Sequence, residues 1–318
     1  MATAEAPARV IEARGLTRHF AAFTAVNGLD LDVAAGEVFG LLGANGAGKT
    51  TAIRMLCAAL RPSSGQATVA GVDMLHQARR ARGQLGYVTQ GFTLYGDLTV
   101  MENLRLQAGL YGLYGRRRGQ RLDWALDYLH LHAHRNRPAG ALPLGYQRRL
   151  ALAGALLHEP AVLFLDEPTS GVDPLARQHF WDLIYDLADS GIGILVTTHY
   201  MDEAMFCDRL ALMQAGEIIA EGTPDALLQR ELPTPLLELE APGCAHCGRA
   251  LEAMNEVLEV VPRANRLRVR LAPDADIEDA RAAIERTIAG RQARVARLEP
   301  VAPELEDVFV ALIEDAER

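Results

Sequence analysis

The fold is decided by Gly43-Ala44-Asn45-Gly46-Ala47-Gly48-Lys49-Thr50-Thr51, which follows the apolar run 38–42 and precedes a predicted helix over 50–60. A G-x-x-x-x-G-K-[ST] pattern between a strand and a helix predicts a tight loop whose backbone N–H groups converge on anionic oxygens. The N-terminus of the following helix adds unpaired donors. We expect Lys49 to reach the β- and γ-phosphates of a nucleoside triphosphate, and Thr50 to place its hydroxyl on Mg²⁺.

A second landmark is the apolar run 162–165, which ends at Asp166 and Glu167. Four consecutive apolar residues are typical of a buried parallel strand, and open α/β sheets bind ligands at the carboxyl ends of such strands. Asp166 fits an acid that holds Mg²⁺, and Glu167 fits a general base or water-orienting group. The alternative, a solvated strand end, is disfavoured by the glycine-rich loop upstream.

Composition excludes several classes of protein. The chain of 318 residues is 49% hydrophobic and 23% charged, as ordinary globular proteins are. Its formal charge of −9 argues against nucleic acid as a partner. No apolar run is long enough to span a membrane, and the first 14 residues lack a signal-peptide pattern. Because the four cysteines are too scattered for a disulfide framework, we expect a cytoplasmic protein.

The remaining pattern predicts two domains. Residues 1–8 read as a disordered tail, 9–230 as the main domain with a helical lobe at about 91–158, 231–235 as a linker, and 236–318 as a C-terminal domain. The last domain has the order β-α-β-β-α-β of a ferredoxin-like unit. Its predicted elements are strand 236–240, helix 247–256, strands 258–262 and 266–271, helix 276–288, strand 293–298 and a final helix 303–315.

These landmarks together resemble the ATP-binding subunit of an ABC transporter, over roughly residues 8–230. The C-terminal stretch 305–310 resembles the extension of the ABC-2-type and daunorubicin-exporter branch. The elements occur in family order: the aromatic Phe20, the Walker A loop Gly43–Thr51, the Q-loop Gln90, a signature region at Leu142–Tyr146, Walker B ending in Asp166-Glu167, the D-loop Ser170–Pro174 and the H-loop His199.

The resemblance implies both a fold and a function. The fold is α/β: a P-loop NTPase with a RecA-like mixed sheet, an antiparallel β portion, an inserted α-helical lobe and a ferredoxin-like α+β domain. The function is ATP hydrolysis that powers a separately encoded ABC-2-type membrane permease, for efflux of drugs or similar compounds. The chain would work as a homodimer or pseudo-dimer at the cytoplasmic face of the inner or plasma membrane, without nucleic acid.

The family mechanism also implies a role for each site residue. Two domains would close head-to-tail around ATP, with Glu167 polarising the attacking water, His199 contacting the γ-phosphate and Gln90 sensing water and Mg²⁺. Thr50, Gln90 and Asp166 would hold the metal. The nucleotide would contact Phe20, Gly43, Ala44, Asn45, Gly46, Ala47, Gly48, Lys49, Thr50, Thr51, Gly145 and Asp173. From its chemistry alone, Phe20 fits a purine platform and a core or edge aromatic equally well.

The signature region departs from the family pattern. Where the family has Leu-Ser-Gly-Gly-Gln, this chain has Leu142-Pro143-Leu144-Gly145-Tyr146. The serine hydroxyl is missing and Pro143 lacks a backbone donor, although Gly145 and the helix start behind it still offer N–H groups. Losing one charge-assisted hydrogen bond costs about 1.5–3 kcal/mol. We therefore expect a working but slow ATPase that depends on its membrane partner for its full rate.

Weaker patterns leave alternatives open. Cys244 and Cys247 flank His246 but lack the further ligands of a zinc site, and the alternating histidines at 130, 132 and 134 lie at a helix end, where cations are favourable. The basic cluster 116–121 is either a solvated face or a contact to lipid or the permease. In the segment 91–95, Phe92 and Tyr95 favour docking of the permease.

The sequence is also compatible with two other functions. One is a soluble ABC-type ATPase that works on ribosomes or nucleic acid, against which the acidic charge and the single ATP-binding domain argue. The other is a regulatory module that binds ATP with weak turnover, which the altered signature motivates. The retained Glu167 and His199 argue against that second rival.

Overall fold

The structure is a computed structural model that describes residues 8–91, 93–229, 234–242, 247–263, 265–291 and 293–317. The chain forms two compact units, Met1–Pro224 and Asp225–Arg318. The division therefore falls before the linker predicted at 231–235. Most of the predicted tail and residues 231–233 of that linker lie outside the described residues.

The first unit has a mixed α/β composition. Its strands are β1 (Arg9–Phe20), β2 (Phe23–Ala34), β3 (Val38–Leu42), β4 (Ser64–Val69), β5 (Val72–Asp73), β6 (Leu85–Val88), β7 (Val162–Asp166), β8 (Gly193–Thr198), β9 (Arg209–Gln214) and β10 (Glu217–Gly222). Its helices are α1 (Lys49–Leu56), α2 (Ala78–Arg82), α3 (Val100–Leu110), α4 (Gly115–Tyr128), α5 (Leu144–Leu156), α6 (Pro174–Asp189) and α7 (Met201–Ala204), and α8 (Pro224–Leu228) follows at the division.

The central sheet of the first unit has six strands in the order β10-β9-β3-β8-β7-β6. Its neighbours pair in parallel except for the antiparallel hairpin β9–β10. Every residue of β3 and β7 is buried, as their continuous apolar runs require. One strand, β8, separates the glycine-rich loop after β3 from the carboxylates at the end of β7, so the predicted landmarks lie at one edge.

A second sheet and a helical lobe complete this unit. The sheet has the antiparallel order β2-β1-β4-β5 and supplies the expected antiparallel portion. In the lobe, α3 begins with a capping box in which Thr99 and Glu102 satisfy each other's backbone N–H groups. The helix α4 buries Leu122, Ala125 and Leu126 and carries the basic cluster at its exposed start.

The second unit has the predicted β-α-β-β-α-β order followed by a final helix. Its elements are β11 (Leu236–Glu240), α9 (Gly248–Leu251), β12 (Val257–Arg263), β13 (Arg266–Leu271), α10 (Ile277–Ala289), β14 (Arg297–Pro300) and α11 (Leu305–Glu317). The antiparallel sheet has the order β12-β13-β11-β14, so the first and third strands lie at its centre, as in the ferredoxin-like fold.

Three sequence predictions for the second unit need correction. The strand predicted over 293–298 spans Arg297–Pro300 instead. The helix predicted over 247–256 ends at Leu251, because the chain continues in tight turns such as Met254 N–H to Leu251 O and Val257 N–H to Met254 O. Cys247 is buried and disulfide-bonded, which corrects the expectation that the scattered cysteines form no disulfide and agrees with the argument against zinc, since its sulfur is unavailable as a thiolate ligand. Cys244 and His246 lie outside the described residues.

Candidate functional site

The functional cleft lies at the carboxyl ends of β3 and β7. Its cavity volume is about 470 Å³. The residues that line it are Phe23, Ala25, Asn45, Gly46, Gly48, Lys49, Thr50, Thr51, Gln90 and Glu167. We call this space the P-loop cleft, because six of these residues belong to the loop between β3 and α1 or to the start of α1. Eight of the predicted site residues therefore lie around one cavity.

Two glycines make the loop possible. A Cβ at Gly43 would lie 2.3 Å from the Met213 carbonyl oxygen, and one at Gly48 would lie 2.4 Å from that of Ala25. Gly48 also has φ +110°, which side chains other than glycine rarely adopt. Since α1 begins at Lys49, the N–H groups of its first turn have no intrahelical acceptor. The loop therefore presents unpaired donors to the cleft, as an anion site requires.

Lys49 is a buried cation in the P-loop cleft and the only lysine in the sequence. Its Nζ donates to the carbonyl oxygens of Gly43 at 2.7 Å and Ala44 at 3.0 Å, and lies 3.8 Å from Glu167 Oε1. Burial lowers the pKa of Lys49, while the carboxylates of Glu167 and Asp166 act in the opposite direction. The ammonium is therefore held by weak acceptors that a phosphate can replace.

Two of the three expected metal ligands, Thr50 and Asp166, meet beside Lys49, whereas the third, Gln90, donates to Glu167 instead. Thr50 Oγ1 lies 3.2 Å from Asp166 Oδ1, which also accepts a hydrogen bond of 2.7 Å from Thr197 Oγ1. The Tyr87 hydroxyl lies 3.4 Å from Asp166 Oδ2, and burial raises the pKa of Tyr87, which keeps its phenol protonated. Hydroxyl and carboxylate oxygens are the ligands that Mg²⁺ prefers when phosphates and water supply the rest.

These residues fit a magnesium site of the nucleotide-bound kind. Among the described residues, no group of three or more His, Cys, Asp or Glu side chains could hold an ion alone. A site with one carboxylate and one hydroxyl needs oxygens from a bound phosphate to complete it. That requirement agrees with a cleft built to take the metal together with the nucleotide.

Glu167 is the point where the three predicted catalytic residues meet. Its Oε2 accepts a 2.8 Å hydrogen bond from Gln90 Nε2 and lies 3.1 Å from His199 Nδ1. Its backbone, with φ +48°, donates to Thr197 through contacts of 3.1 Å to both the carbonyl oxygen and Oγ1. A buried carboxylate at the cleft wall, held by an amide and facing an imidazole, is placed to accept a proton from a bound water.

The aromatic residue at the cleft differs from the one that the sequence suggested. Phe23 lines the cavity and is 62% exposed, whereas the guanidinium of Arg18 lies over the Phe20 ring, 4.6 Å from its centroid. The two residues face each other across the β1–β2 turn. The hairpin therefore offers two rings, and the sequence pattern alone selected the one that Arg18 already covers.

The signature region begins a helix, and Pro143 lies one position before its first turn. Pro143 is the N-cap of α5, and its carbonyl oxygen accepts from the N–H groups of Tyr146 and Gln147. The N–H groups of Leu144 and Gly145 precede this first bonded turn. Asp173 N-caps α6, where its Oδ1 accepts from Ala176 N–H at 3.0 Å. The structure therefore shows Asp173 in a helix cap rather than at the P-loop cleft.

Several residues that shape the site were not predicted from the sequence. Thr197 and Tyr87 hold Asp166, and Arg148 of α5 donates to the Gln90 carbonyl oxygen at 2.8 Å. One signal was available for Thr197, since it is the β8 residue in register with Asp166 of β7. The contacts of Tyr87 and Arg148 arise only in three dimensions and left no local pattern.

The weaker sequence patterns have structural explanations in most cases. His132 Nε2 lies 2.7 Å from Asp127, and the ring of His134 packs edge-on against Tyr146. In the segment 91–95, Tyr95 is 61% exposed, and Phe92 lies outside the described residues. None of the helices in the described ranges is long and apolar enough to cross a bilayer.

Comparison with known proteins gives a consistent result. The family model described as ABC transporter matches residues 26–170. A probable multidrug ABC transporter ATP-binding protein of Escherichia coli, YbhF, is 48% identical over 233 residues, which cover 72% of this chain. This chain spans only 40% of that relative's length.

Two further relatives match over most of their length. Nod factor export ATP-binding protein I of Burkholderia lata is 38% identical over 255 residues, which cover 80% of this chain and 84% of the relative. Daunorubicin resistance ATP-binding protein DrrA2 of Streptomyces coeruleorubidus is 35% identical over 304 residues and covers 95% of this chain and 94% of its own. That match includes the C-terminal unit.

A solved structure, described as the ATP-binding subunit of an ABC transporter, superimposes with a TM-score of 0.63 and 28% identity. It covers 70% of this chain and 92% of its own. The predicted P-loop NTPase fold and the resemblance stated from the sequence are both confirmed.

Proposed function

This chain belongs to the ATP-binding proteins of ABC transporters, and we propose that it hydrolyses ATP to power a separately encoded ABC-2-type membrane permease for export. One observation carries the proposal. Lys49 and Glu167 line the P-loop cleft, Asp166 lies behind them against Thr50, and Gln90 and His199 both reach the Glu167 carboxylate. If the glycine-rich loop were only a structural turn, nothing would require a lysine, two carboxylates, an amide and an imidazole to lie together at one cavity.

The geometry suggests how the residues divide the work. Lys49 exchanges its carbonyl contacts for phosphate oxygens, and the N–H groups at the start of α1 bind the same anion. Thr50 and Asp166 hold Mg²⁺, which neutralises phosphate charge when it is bound with ATP. Glu167 accepts the proton of the attacking water, while Gln90 and His199 orient its carboxylate. Most of the catalysis is thus positioning and charge compensation.

The partners follow from the family rather than from the cleft. The relatives are a multidrug ABC transporter protein, a Nod factor export protein and a daunorubicin resistance protein, which favours export. We propose that two copies of the chain, or this chain and a similar one, close around ATP so that each signature region meets the partner's P-loop cleft. The dimer would work peripherally at the cytoplasmic face of the membrane.

The variant Glu167→Gln tests the proposed hydrolysis. Phosphate release by the purified chain with its permease should fall by about 100-fold or more, because the amide does not accept a proton from water. ATP should still bind, so the variant should accumulate an ATP-bound dimer on size exclusion. The control is Asp123→Asn, which makes the same carboxylate-to-amide change at an exposed position of α4. Unchanged turnover in Glu167→Gln would contradict the role given to this carboxylate.

A second candidate, an ATP-binding module with weak turnover, is motivated by Pro143 as the N-cap of α5. Pro143→Ser supplies the hydroxyl that the family pattern has at this position. We expect turnover to rise by about 10- to 150-fold if the missing hydrogen bond, worth about 1.5–3 kcal/mol, limits closure. No change, together with negligible turnover in the presence of the permease, would favour the regulatory module.

Co-purification separates transport from the soluble alternative. Tagged full-length chain, extracted in mild detergent, should carry an integral membrane protein with it. Recovery with ribosomes and without a membrane protein would favour the soluble alternative instead.

A further inference from the structure

A buried carboxylate outside the P-loop cleft joins two catalytic segments. Glu203 of α7 is only 1% exposed. One of its carboxylate oxygens accepts a hydrogen bond from Thr169 Oγ1, and the other accepts from Thr198 Oγ1 at 2.7 Å. Burying a carboxylate is costly unless its oxygens are satisfied, so both hydroxyl contacts matter for the fold of this region.

The first of these hydroxyls belongs to the turn that carries Glu167. Ser170 N–H donates to the Glu167 carbonyl oxygen at 3.3 Å, and Val172 N–H donates to that of Thr169 at 3.1 Å. Thr169 therefore lies within the tight turn that starts at Glu167. A shift of its side chain would move the backbone that aims the Glu167 carboxylate.

The second hydroxyl belongs to the turn that carries His199. Thr198 Oγ1 accepts from Tyr200 N–H at 3.0 Å while it donates to Glu203, and Glu203 N–H donates to the Tyr200 carbonyl oxygen at 3.2 Å. His199 lies between the two residues that this hydroxyl connects. The Glu203 carboxylate thus fixes the turn from which the imidazole projects.

Arg177 of α6 supports the same bridge. Its Nε lies 3.5 Å from a Glu203 oxygen, and its guanidinium lies over the Tyr200 ring, 5.0 Å from the centroid. The helix α6 begins at the end of the D-loop, so one cluster connects the D-loop, the Glu167 turn and the His199 turn.

We propose that Glu203 is a positioning residue for ATP hydrolysis, which holds the turns of Glu167 and His199 so that their side chains stay 3.1 Å apart. This inference rests on the catalytic roles proposed above for those two residues. Glu203 acts through its hydrogen bonds with Thr169 and Thr198, which the Arg177 contact supports. A misplacement of about 1 Å at a reacting centre can cost about 100-fold in rate, so a remote carboxylate can control turnover without touching ATP.

The test compares Glu203→Gln with Asp202→Asn, a neighbouring exposed carboxylate that undergoes the same chemical change. In the full chain with its permease, Glu203→Gln should lower kcat by about 10- to 100-fold, with the affinity for ATP within about twofold of wild type. Asp202→Asn should change neither quantity. Wild-type turnover in Glu203→Gln would overturn the proposal.

Two further variants keep the test valid if Glu203→Gln fails to fold. Thr169→Val and Thr198→Val each remove one hydroxyl at nearly constant volume and should lower kcat by about 3- to 10-fold without weakening ATP binding. Wild-type turnover in both would overturn the proposal, whatever Glu203→Gln does.

A double variant distinguishes positioning from general stabilisation. In His199→Ala, which we expect to be slow, adding Glu203→Gln should cost at most about a further threefold, because the bridge acts partly through the missing imidazole. If the loss of kcat in the double variant equals the product of the two single losses, Glu203 acts independently of His199, and the proposal that it positions His199 is overturned. Wild-type turnover in His199→Ala alone would contradict the proposed role of His199 and, with it, the coupling.

Discussion

Both units of this chain bury charged side chains, but the P-loop cleft and the C-terminal sheet balance them differently. In the C-terminal unit, Arg268 meets Glu304 at 2.6 Å and Asp307 at 2.9 Å, and Arg270 meets Glu259 at 3.2 Å and Glu314 at 2.5 Å. Each guanidinium contacts two carboxylates, and three of these four acids lie on or just before α11. This network attaches a helix to a sheet.

In the P-loop cleft one cation again accompanies two carboxylates, but its ion pair is long, at 3.8 Å. Lys49 lies among two carboxylates, Asp166 and Glu167, and its nearer contacts are carbonyl oxygens rather than either acid. All three side chains are at least 94% buried. The difference teaches that buried charge alone does not mark a functional site. Incompletely compensated charge beside a cavity does, because a cation and an anion from outside can still be accommodated.

Removing Lys49 should have the largest effect and would break the comparison at the cleft. Lys49→Ala should weaken ATP binding by about 100-fold or more, since truncating one partner of a buried charge pair costs about 2–5 kcal/mol. Binding of a fluorescent ATP analogue measures this, with Lys49→Arg as the charge-preserving control. Because the chain has a single lysine, an amine-reactive probe should also label the ε-amine of wild type less when ATP is present. Labelling that ATP leaves unchanged would contradict binding at Lys49.

Breaking the C-terminal network should have a smaller effect, on stability alone. Arg268→Met leaves Asp307, which is 12% exposed, without its nearest cation, and should destabilise the unit by about 3 kcal/mol. Hydrogen exchange of β13 and α11 measures the loss. The double variant Arg268→Met with Asp307→Leu should recover most of it, since apolar replacement of a buried pair is often neutral. Equal loss in both variants would mean that packing, not charge, holds α11.

The two rings of the β1–β2 turn sharpen the comparison for uncharged contacts. Phe23→Ala should weaken binding of an adenine nucleotide by about 5- to 150-fold, because stacking on a base is worth about 1–3 kcal/mol. Phe20→Ala should have a smaller effect, since Arg18 occupies one face of that ring. Titration calorimetry measures the two affinities. If Phe20→Ala weakens binding more than Phe23→Ala does, Phe20 is the purine platform that the sequence suggested.

A half-buried histidine should give the smallest effect. His158 stacks on Tyr111 with centroids 3.6 Å apart, and burial lowers its pKa below the usual 6.5. Below about pH 6.5 the unfolded chain therefore takes up a proton that the folded chain refuses, so stability falls as the pH decreases. The loss from this one group is at most about 1.4 kcal/mol per pH unit. His158→Gln should lack that contribution, and an unchanged pH slope of the unfolding midpoint would contradict it.

The sequence predicted the parts of the molecule that local chemistry determines. The glycine-rich loop, the buried strands β3 and β7 and the acids after β7 follow from short patterns with steric or solvation causes. The strand order of the C-terminal unit follows from its element order. The predicted helix ends were less accurate. The helix α9 is only one turn long, and the prediction extended it because nothing in the composition of 252–256 marks its end.

Contacts between distant segments were beyond the reach of the sequence. Phe23 rather than Phe20 lines the cleft because of how the hairpin turns, and Tyr87, Thr197 and Glu203 become relevant only when strands and turns pack together. A buried threonine or glutamate has no distinctive spacing, so its role appears only from its partners.

The backbone of Glu167 carries a consequence of its own. Its φ of +48° is a left-handed conformation, which glutamate adopts at a cost of about 1–2 kcal/mol relative to ordinary backbone. Glycine or asparagine would relieve that strain, so selection for thermal stability alone would replace the residue that we propose as the general base. The chain keeps a carboxylate where its own folding disfavours one, and engineering for heat resistance should leave this residue unchanged.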